Sequence, residues 1–247
     1  AKTPTALAAF FRARKGKKII SPKKNLSFAE NFFYMCFGKV PSKDIVKAFD
    51  VSLILYAEHS FNVSTFTART ITSSLSDIHG AITGAIASLK GPLHGGANEE
   101  VMHMMNKIKS PEKALNWINK TLNNKDVVMG FGHRVYKKGD SRVPTMEKYF
   151  KKVAKIKKDK KFHKIYDVVK NVMIERKNIY PNVDYPTGPL YHLMGFDTDF
   201  FTPIFVISRI TGWSAHIMEQ HTANKLIRPL SKYSGASHRK VMLLNQR

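Results

Sequence analysis

The sequence predicts an all-α protein. Apolar residues recur at helical spacing in several segments, most clearly between Ile45 and Tyr56. Stretches rich in Gly and Pro separate these segments, at residues 91–96, 130–144 and 181–195. No run of alternating polar and apolar residues indicates a sheet, and the sequence has no internal repeat.

In the first part of the chain, helices are predicted over the opening ten residues and over 42–57, 65–77 and 79–89. The helix at 42–57 has Ser42 or Asp44 near its start, residue types that helix N-termini prefer. The segment at 79–89 is rich in Gly and Ala, so its helix depends on tertiary contacts. The apolar stretch around Cys36, FFYMCFG, is predicted to be core rather than a reactive thiol site.

In the second part, helices are predicted over 98–108, from Pro111 onward, and over 145–158, 162–177, 198–210 and 214–227. Pro111 suits the first position of a helix. The helices at 145–158 and 162–177 are basic and are separated by Lys-Asp-Lys-Lys. A break at Gly212 is expected between the last two helices, and Pro229 is expected to stop the second.

Charge is the outlying feature of the 247-residue composition, at a formal net +23. Such a chain attracts nucleic acid or small polyanions such as dicarboxylates and phosphorylated cofactors. The lysines are spread along the chain and no nucleic-acid-binding motif is recognisable, so small polyanions are favoured. The dense part, Lys151–Lys164, is predicted to be a solvated face.

The single cysteine excludes an internal disulfide framework and favours a reducing compartment, the cytoplasm or, in a eukaryote, the mitochondrial matrix. No segment has the roughly 18 apolar residues of a membrane span. The first residue is Ala1 rather than Met, and we expect the chain to be part of a longer protein.

Loops with histidines and carboxylates are the candidate chemical sites. His94 in GPLHGGANEE precedes a helix start, where free N–H groups favour an anion, although a solvated histidine is the simpler interpretation. His133 lies in GFGHRVYKKGDSR and Asp184 in YPNVDYPTG, and either could be an ordinary turn residue. His59 in YAEHSFN could instead cap the preceding helix.

Two late arginines lie in apolar surroundings. Arg209 in VISRITGW needs a buried carboxylate or an anionic ligand, whereas Arg228 in LIRPL could be an ordinary surface residue. Metal binding is disfavoured because the histidines are scattered, and no nucleophile motif is present. The remaining set suits proton abstraction beside a carbonyl, with arginines holding carboxylates.

Four motifs, GPLHGGANEEV, GFGHRVYKKGDSR, PNVDYPTG and FTPIFVISRITGWSAHIMEQ, occur in the order found in the citrate synthase family, which the whole chain resembles. The likeness is strongest to the bacterial and archaeal branch, which includes 2-methylcitrate synthases. It implies an all-α fold, with a large domain at residues 1–95 and 195–247, incomplete at its N-terminus. A small domain at 96–194 would close over the active site, and a homodimer is expected.

The resemblance implies an acyltransferase that condenses acetyl-CoA or propionyl-CoA with oxaloacetate and then hydrolyses the thioester. His94 would stabilise the enolate, Asp184 would remove the α-proton and His133 would protonate the oxaloacetate carbonyl. Oxaloacetate would be bound by His59, Arg142, Arg209 and Arg228, the last reaching the neighbouring subunit's site. Coenzyme A, a co-substrate rather than a resident cofactor, would contact Val127, Val128, Gly130, Phe131, Gly132, Lys137 and Lys177. No metal, nucleic acid or membrane is implied.

The motif SRVPTM and the Asp184-Tyr185-Pro186 sequence favour 2-methylcitrate synthases within the family. One added methylene changes pocket affinity by only about 1–3 kcal/mol, so both acyl-CoAs are expected to react. An inactive structural relative and a basic nucleic-acid-binding protein are the alternatives. An ATP-dependent citrate-cleaving relative is disfavoured because no G-x-x-x-x-G-K loop is present.

Overall fold

The computed structural model of the protein describes residues 2–237 and 240–246. Over these residues the regular elements are eleven α-helices and two short 3₁₀ helices. The α-helices are α1 (Thr3–Ala13), α2 (Phe28–Phe37), α3 (Lys43–Ala57), α4 (Val63–Ser73), α5 (Ile78–Leu89), α6 (Ala97–Ile108), α7 (Pro111–Asn123), α8 (Val143–Ile156), α9 (Phe162–Lys177), α10 (Asp184–Met194) and α11 (Phe201–Thr222). The 3₁₀ helices are Thr198–Phe200 and Leu244–Gln246.

The all-α prediction is confirmed for the described ranges, whose strand-type pairing is limited to one isolated bridge between Phe131 and Pro181. Within the same ranges, no helix combines the length and apolar character needed to span a membrane.

The helices pack as two groups. In the first group α11 lies against α3, α4 and α5. Helices α1 and α2 pack on each other, and α1 also contacts α11 while α2 contacts α3. In the second group α10 lies against α6, α8 and α9, and α7 packs on α9. Contacts of α3 with α8 and of α11 with α6 join the groups. The site described below lies where they meet.

A phenylalanine cluster forms the core of the first group. The rings of Phe32 and Phe49 stack at 5.4 Å, and Phe196 lies 5.5 Å from Phe33 and 5.7 Å from Phe49. Cys36 is buried beside them, as predicted, and burial raises the pKa of its thiol to about 12. The thiol therefore stays protonated and is part of the packing.

Helix α2, which the sequence analysis treated only as an apolar stretch, begins at a capping box. The Ser27 hydroxyl accepts from the Glu30 N–H, and the Glu30 carboxylate accepts from the Ser27 N–H at 2.8 Å. These two bonds satisfy N–H groups that a helix start otherwise leaves free.

The predicted break at Gly212 is wrong, because α11 runs through it without interruption. A Cβ at Gly212 would overlap the backbone carbonyl of Ala57, so the glycine permits close packing of α11 on the end of α3. The helix ends at Thr222, so Pro229 does not stop it.

The predicted loop at 181–195 is also wrong, because most of it forms α10. Pro186 lies in the first turn, where a helix needs no N–H donor. Gly188 packs against α6, since a Cβ there would lie 2.7 Å from the Asn98 carbonyl oxygen. Pro186 and Gly188 thus serve helix entry and close packing, while Pro189 lies inside the helix. By contrast, the predicted helix 162–177 is confirmed as α9, and the other outer boundaries differ by up to five residues.

Candidate active site

A cleft of about 690 Å³ lies between the two helix groups. Its walls come from the C-terminal end of α3, the N-terminal end of α4, the loop before α6, the loop at 127–136, the start of α10 and the middle of α11. Six residues singled out from the sequence line it together: His59, His94, His133, Arg142, Asp184 and Arg209. Residues far apart in the chain thus form one site.

His94 lies against the N-terminus of α4, not only before α6 as predicted. The Ser64 backbone N–H donates to His94 Nε2 at 3.3 Å, and the Ser64 hydroxyl lies 2.8 Å from the same nitrogen. A ring nitrogen that accepts from a backbone N–H carries no proton, so the proton is on Nδ1. Burial, together with the charge of Arg209, lowers the pKa of His94 to about 4. His94 is therefore a neutral donor through Nδ1.

Asp184, expected in a loop, is the first residue of α10. Its Oδ1 accepts from the Tyr56 hydroxyl at 2.5 Å, and its backbone N–H donates to Asn182 Oδ1 at 3.1 Å. Burial raises the pKa of Asp184, the Tyr56 bond and the charge of Arg142 offset only part of that rise, and the resulting pKa is about 6. A carboxylate with a raised pKa accepts protons more readily, as a general base requires.

Arg209 is almost completely buried, at 1% exposed. Its Nε donates to the Tyr56 carbonyl oxygen at 2.6 Å, its guanidinium lies 4.8 Å from the Phe205 ring, and Nη1 has no hydrogen-bond partner. No ion pair joins it to a carboxylate within residues 2–237 and 240–246. Burial lowers its pKa to about 10, as does the charge of Arg142. The sequence predicted either a buried carboxylate or an anionic ligand as the partner of Arg209, and the anionic ligand is the one that remains.

Arg142, in contrast, has a full protein partner. Its Nε and Nη2 donate to the two oxygens of Asp140 at 3.0 and 2.7 Å, and the Val183 N–H donates to Asp140 Oδ2 at 3.1 Å. Burial would raise the pKa of Asp140, but the hydrogen bonds and charge of Arg142 outweigh it and lower the pKa. The pair fixes the start of α8 against the start of α10.

His59 and His133 share a ring cluster with Tyr136. The Tyr136 hydroxyl lies 2.9 Å from His59 Nε2, and the His133 ring lies 5.1 Å from His59 and 4.6 Å from Tyr136. His133 Nδ1 accepts from the backbone N–H groups of Val135 and Tyr136 at 3.1 and 3.2 Å. Neutral His133 therefore carries its proton on Nε2. Burial lowers the pKa of His59 to about 4 and also lowers that of His133.

The loop at 127–132, which holds several of the residues predicted to contact coenzyme A, forms one wall of the cleft. Gly132 N–H donates to the Tyr180 carbonyl at 2.8 Å, and Asn182 N–H donates to the Gly130 carbonyl at 2.9 Å. The loop is thus bound to the segment that leads into α10. A Cβ at Gly130 would lie 2.7 Å from a Val101 methyl group and 2.8 Å from Tyr185 Cβ, so this wall has no room for a larger residue.

Three predicted binding residues lie outside the cleft lining. Lys137 is exposed and its Nζ donates to the Arg134 carbonyl at 3.3 Å, Lys177 is exposed at the end of α9, and Arg228 is exposed beyond α11. Their predicted contacts with phosphates and with a neighbouring subunit stay predictions.

The structure adds four residues that the sequence analysis did not place in the site, namely Tyr56, Ser64, Tyr136 and Asp140. Asp140 could have been found, since it stands two residues before Arg142 in the same loop. Ser64 follows Asn62, a typical N-cap residue, at a helix start. Tyr56 and Tyr136 gave no comparable signal. No group of three or more His, Cys, Asp or Glu side chains in the described part could hold a metal ion.

Comparison with known proteins identifies the family. The family described as "Citrate synthase, C-terminal domain" matches residues 1–230. The chain is 56% identical, over its whole length, to 2-methylcitrate synthase 2 of Corynebacterium glutamicum, of which it covers 66%. It is 54% identical to citrate synthase of Mycolicibacterium smegmatis, with 97% of the chain and 64% of that relative covered. The chain thus spans about two thirds of the length of these relatives.

Solved structures agree. Citrate synthase from Thermotoga maritima superposes with a TM-score of 0.90 at 39% identity, covering 99% of this chain and 68% of that one. Citrate synthase from Thermoplasma acidophilum, in ternary complex with carboxymethyl coenzyme A and oxaloacetate, gives a TM-score of 0.91 at 35% identity, covering 100% and 67%. Since the family profile covers nearly the whole chain and the fold matches throughout, the chain belongs to the citrate synthase family.

Proposed function

We propose that the complete protein condenses an acyl-CoA with oxaloacetate and hydrolyses the resulting thioester, releasing coenzyme A. The observation that carries this proposal is Arg209, a buried guanidinium whose Nη1 is unpartnered beside a second arginine in the cleft. A buried cation with free donor capacity suits a carboxylate ligand. Oxaloacetate has two carboxylates, and Arg209, Arg142 and His59 are the proposed groups that bind it.

Proton abstraction is the proposed role of Asp184. Its carboxylate takes a proton from the carbon beside the thioester, leaving an enolate whose oxygen accepts from His94 Nδ1–H. The neutral state of His94 is important, because its low pKa keeps it a hydrogen-bond donor that polarises the thioester without protonating it. The raised pKa of Asp184 reduces the difference between its own pKa and the much higher pKa of the C–H group.

Carbon–carbon bond formation follows at the oxaloacetate carbonyl. The enolate carbon attacks the carbonyl carbon, and the new alkoxide takes the proton of His133 Nε2, which the proton gained by Asp184 replaces before the next turnover. Water then cleaves the thioester of the product, and the thiol of coenzyme A leaves. Side chains and water supply every step of this proposal, so it includes no metal or resident cofactor.

Coenzyme A is proposed to lie along the 127–132 wall, with its phosphates near Lys137 and Lys177. Residues 96–194 are proposed to move as the small domain over residues 1–95 and 195–247. Closure would exclude water and limit hydrolysis of the free thioester. We further propose a cytoplasmic homodimer in which Arg228 completes the partner's site.

Both acetyl-CoA and propionyl-CoA are proposed substrates, since named relatives include citrate synthases and 2-methylcitrate synthases. The test is thiol release by the complete protein from each acyl-CoA, with and without oxaloacetate. Oxaloacetate-dependent release from either substrate is the expected result. Absence of release from both, by a folded protein, would refute the proposed reaction.

The proposed role of Arg209 is tested separately, by measuring oxaloacetate binding. Arg209→Met is expected to weaken binding, measured by calorimetry, by about 100-fold, as expected for the loss of a charge-assisted bond in a buried site. Lys137→Met removes a cation outside the cleft lining and serves as the control, with less than threefold change expected for oxaloacetate. Equal effects of the two substitutions would contradict a specific role for Arg209.

A further inference from the structure

Tyr56 contacts both the candidate base and the unpartnered arginine. It lies in the last turn of α3 and is fully buried. Its hydroxyl donates to Asp184 Oδ1 at 2.5 Å, while its backbone carbonyl accepts from Arg209 Nε at 2.6 Å. Its ring packs on Phe205 at 4.0 Å, and Phe205 in turn carries the Arg209 guanidinium at 4.8 Å. One residue thus joins the start of α10 to the middle of α11.

We propose that Tyr56 is a positioning residue, whose hydroxyl orients the Asp184 carboxylate so that Oδ2 takes the proton and whose carbonyl holds the Arg209 guanidinium in place beside the ligand. The inference rests on the proposed function, because it assigns Tyr56 a task relative to the base and the anion-binding arginine of that reaction.

The two oxygens of Asp184 are not equivalent. Oδ1 is held by the Tyr56 hydroxyl, and Oδ2 accepts no hydrogen bond from the residues that the structure describes. Tyr56 remains the donor of this bond, because burial and the nearby Asp184 charge raise the pKa of its phenol well above the ordinary value. A fixed donor on Oδ1 leaves Oδ2 as the oxygen with a free lone pair facing the cleft.

Several charges surround the Asp184 carboxylate. Arg142, from the start of α8, and Arg209, from α11, favour its ionised form, whereas Asp140 disfavours it. Burial is the largest influence and raises the pKa to about 6, while the Tyr56 bond is the strongest opposing one. Loss of the hydroxyl therefore raises the pKa of Asp184 further.

Tyr191, on the same helix as Asp184, is a further titratable group near this carboxylate, besides the cleft histidines His59, His94 and His133. Burial, and to a smaller extent the Asp184 charge, raise the pKa of Tyr191, while its hydroxyl lies 3.0 Å from the Ser52 hydroxyl and does not bond to Asp184. Tyr191 is therefore the matched control, a buried tyrosine of the same environment with a different hydrogen-bond partner.

The experiment compares Tyr56→Phe with Tyr191→Phe in the complete protein. Tyr56→Phe keeps the ring and the backbone carbonyl, so the bond to Asp184 is lost together with the contact of the hydroxyl with the Thr187 side chain. We expect kcat to fall at least tenfold, the acid limb of its pH profile to move up by about one pH unit, and the Kd for oxaloacetate to stay within threefold. Tyr191→Phe is expected to change kcat and the acid limb little. Thermal unfolding followed by circular dichroism confirms that each variant is folded.

A second measurement does not depend on turnover. The Asp184 carboxyl carbon is titrated by ¹³C NMR, with Asp184→Asn identifying its signal, in the wild type, in Tyr56→Phe and in a protein with 3-fluorotyrosine at position 56. The more acidic fluorophenol donates a stronger bond, so the midpoint is expected to fall, whereas Tyr56→Phe raises it. Should Tyr56→Phe not fold, the fluorotyrosine protein alone decides the question.

The outcomes separate the two proposals. An Asp184 titration that is unchanged in both Tyr56 proteins overturns the inference, whether or not the wild type is active. Equal losses of kcat in Tyr56→Phe and Tyr191→Phe also overturn it, because they reveal a merely structural effect. If the Asp184 titration shifts in the Tyr56 proteins but the wild type shows no turnover, the proposed reaction is overturned instead, together with the role of the Tyr56 bond in it.

Discussion

Two carboxylate–arginine regions border the same cleft and differ in one respect. Before α8, Asp140 and Arg142 are joined by two side-chain bonds, and Asp140 also accepts from backbone N–H groups. Between α10 and α11, Asp184 and Arg209 are not bonded to each other, and each contacts Tyr56 instead. The first region is closed on itself, whereas the second keeps an unpaired guanidinium nitrogen and a carboxylate oxygen free.

The carboxylates of the two regions also differ in pKa. The pKa of Asp140 lies below its ordinary value because of Arg142, whereas the pKa of Asp184 lies near 6 because no comparable partner opposes burial. Burying charge without a partner costs stability. We infer that the bonds to Asp140 position Arg142 for its proposed contact with oxaloacetate, whereas the open region leaves Arg209 for a ligand carboxylate and Asp184 for the proton.

The largest expected effect comes from Asp184→Asn. The amide preserves shape and the bond from Tyr56 but cannot accept the α-proton, so kcat should fall about 10³-fold, within the range for a lost general base. The Kd for oxaloacetate should stay within threefold. The measurement is initial-rate thiol release beside calorimetric titration. Turnover within tenfold of the wild type would show that Asp184 is not the base.

The next effect concerns folding stability. Arg142→Met leaves Asp140 buried without its cation and should lower the free energy of unfolding by about 3–5 kcal/mol. Arg209→Met removes a cation that has no ion-pair partner among the described residues, so its change should be below about 1 kcal/mol. Urea unfolding monitored by fluorescence gives both values. Similar losses for the two variants would erase the distinction between the regions.

The pH dependence of stability should have opposite signs in the two regions. The folded pKa of Asp184 is about 6 and its unfolded pKa is near 3.8, so this group lowers stability as pH rises from 4 to 6. Asp184→Asn should therefore match the wild type near pH 4 and exceed it by up to roughly 3 kcal/mol at pH 7, at about 1.4 kcal/mol per pKa unit.

The folded pKa of Asp140 is lowered, so its contribution is complete above pH 4 and is lost as pH falls through the folded pKa. Asp140→Asn should be least stable relative to the wild type at neutral pH, with the deficit shrinking below pH 4. Urea midpoints measured from pH 3.5 to 7.5 test both curves. A deficit for Asp184→Asn at pH 7 would reverse the proposed contrast.

The smallest expected effect comes from lysines outside both regions. Lys157, Lys158, Lys160 and Lys161 lie between α8 and α9 and do not line the cleft. Exposed charges beyond about 8 Å are screened at physiological salt. Changing all four to Gln should alter the acyl-CoA KM less than threefold, whereas Lys137→Gln or Lys177→Gln should raise it more. A large rise for the four-lysine variant would place cofactor phosphates at this run.

Much of the helix pattern could be predicted because local periodicity determines it, as for α9. The errors at α10 and Gly212 share a cause. Pro186, Gly188 and Gly212 look like helix breakers in sequence, yet the first lies in an opening turn and the two glycines allow another backbone to approach. Which backbone lies opposite is a tertiary fact that a local window does not contain.

The same limit applies to the site. His94, Asp184 and Arg209 stood out because a polar group among small or apolar residues is unusual at any position. Tyr56 and Ser64 are ordinary helix residues in sequence, and they matter because α3 and α4 bring them to Asp184 and His94. Their roles depend on contacts across more than a hundred and about thirty residues, respectively.

The hydrogen bonds that join the 127–132 loop to the segment before α10 also predict how this part of the protein opens. Gly132 and Asn182 donate backbone bonds across it in opposite directions, and the Asn182 side chain donates a third bond to the Gly132 carbonyl at 3.0 Å. Opening any one of these bonds strains the others. We therefore expect the amide protons of Gly132 and Asn182 to exchange with solvent deuterium at a common rate, which reports how often the loop before His133 opens from the segment that leads to Asp184.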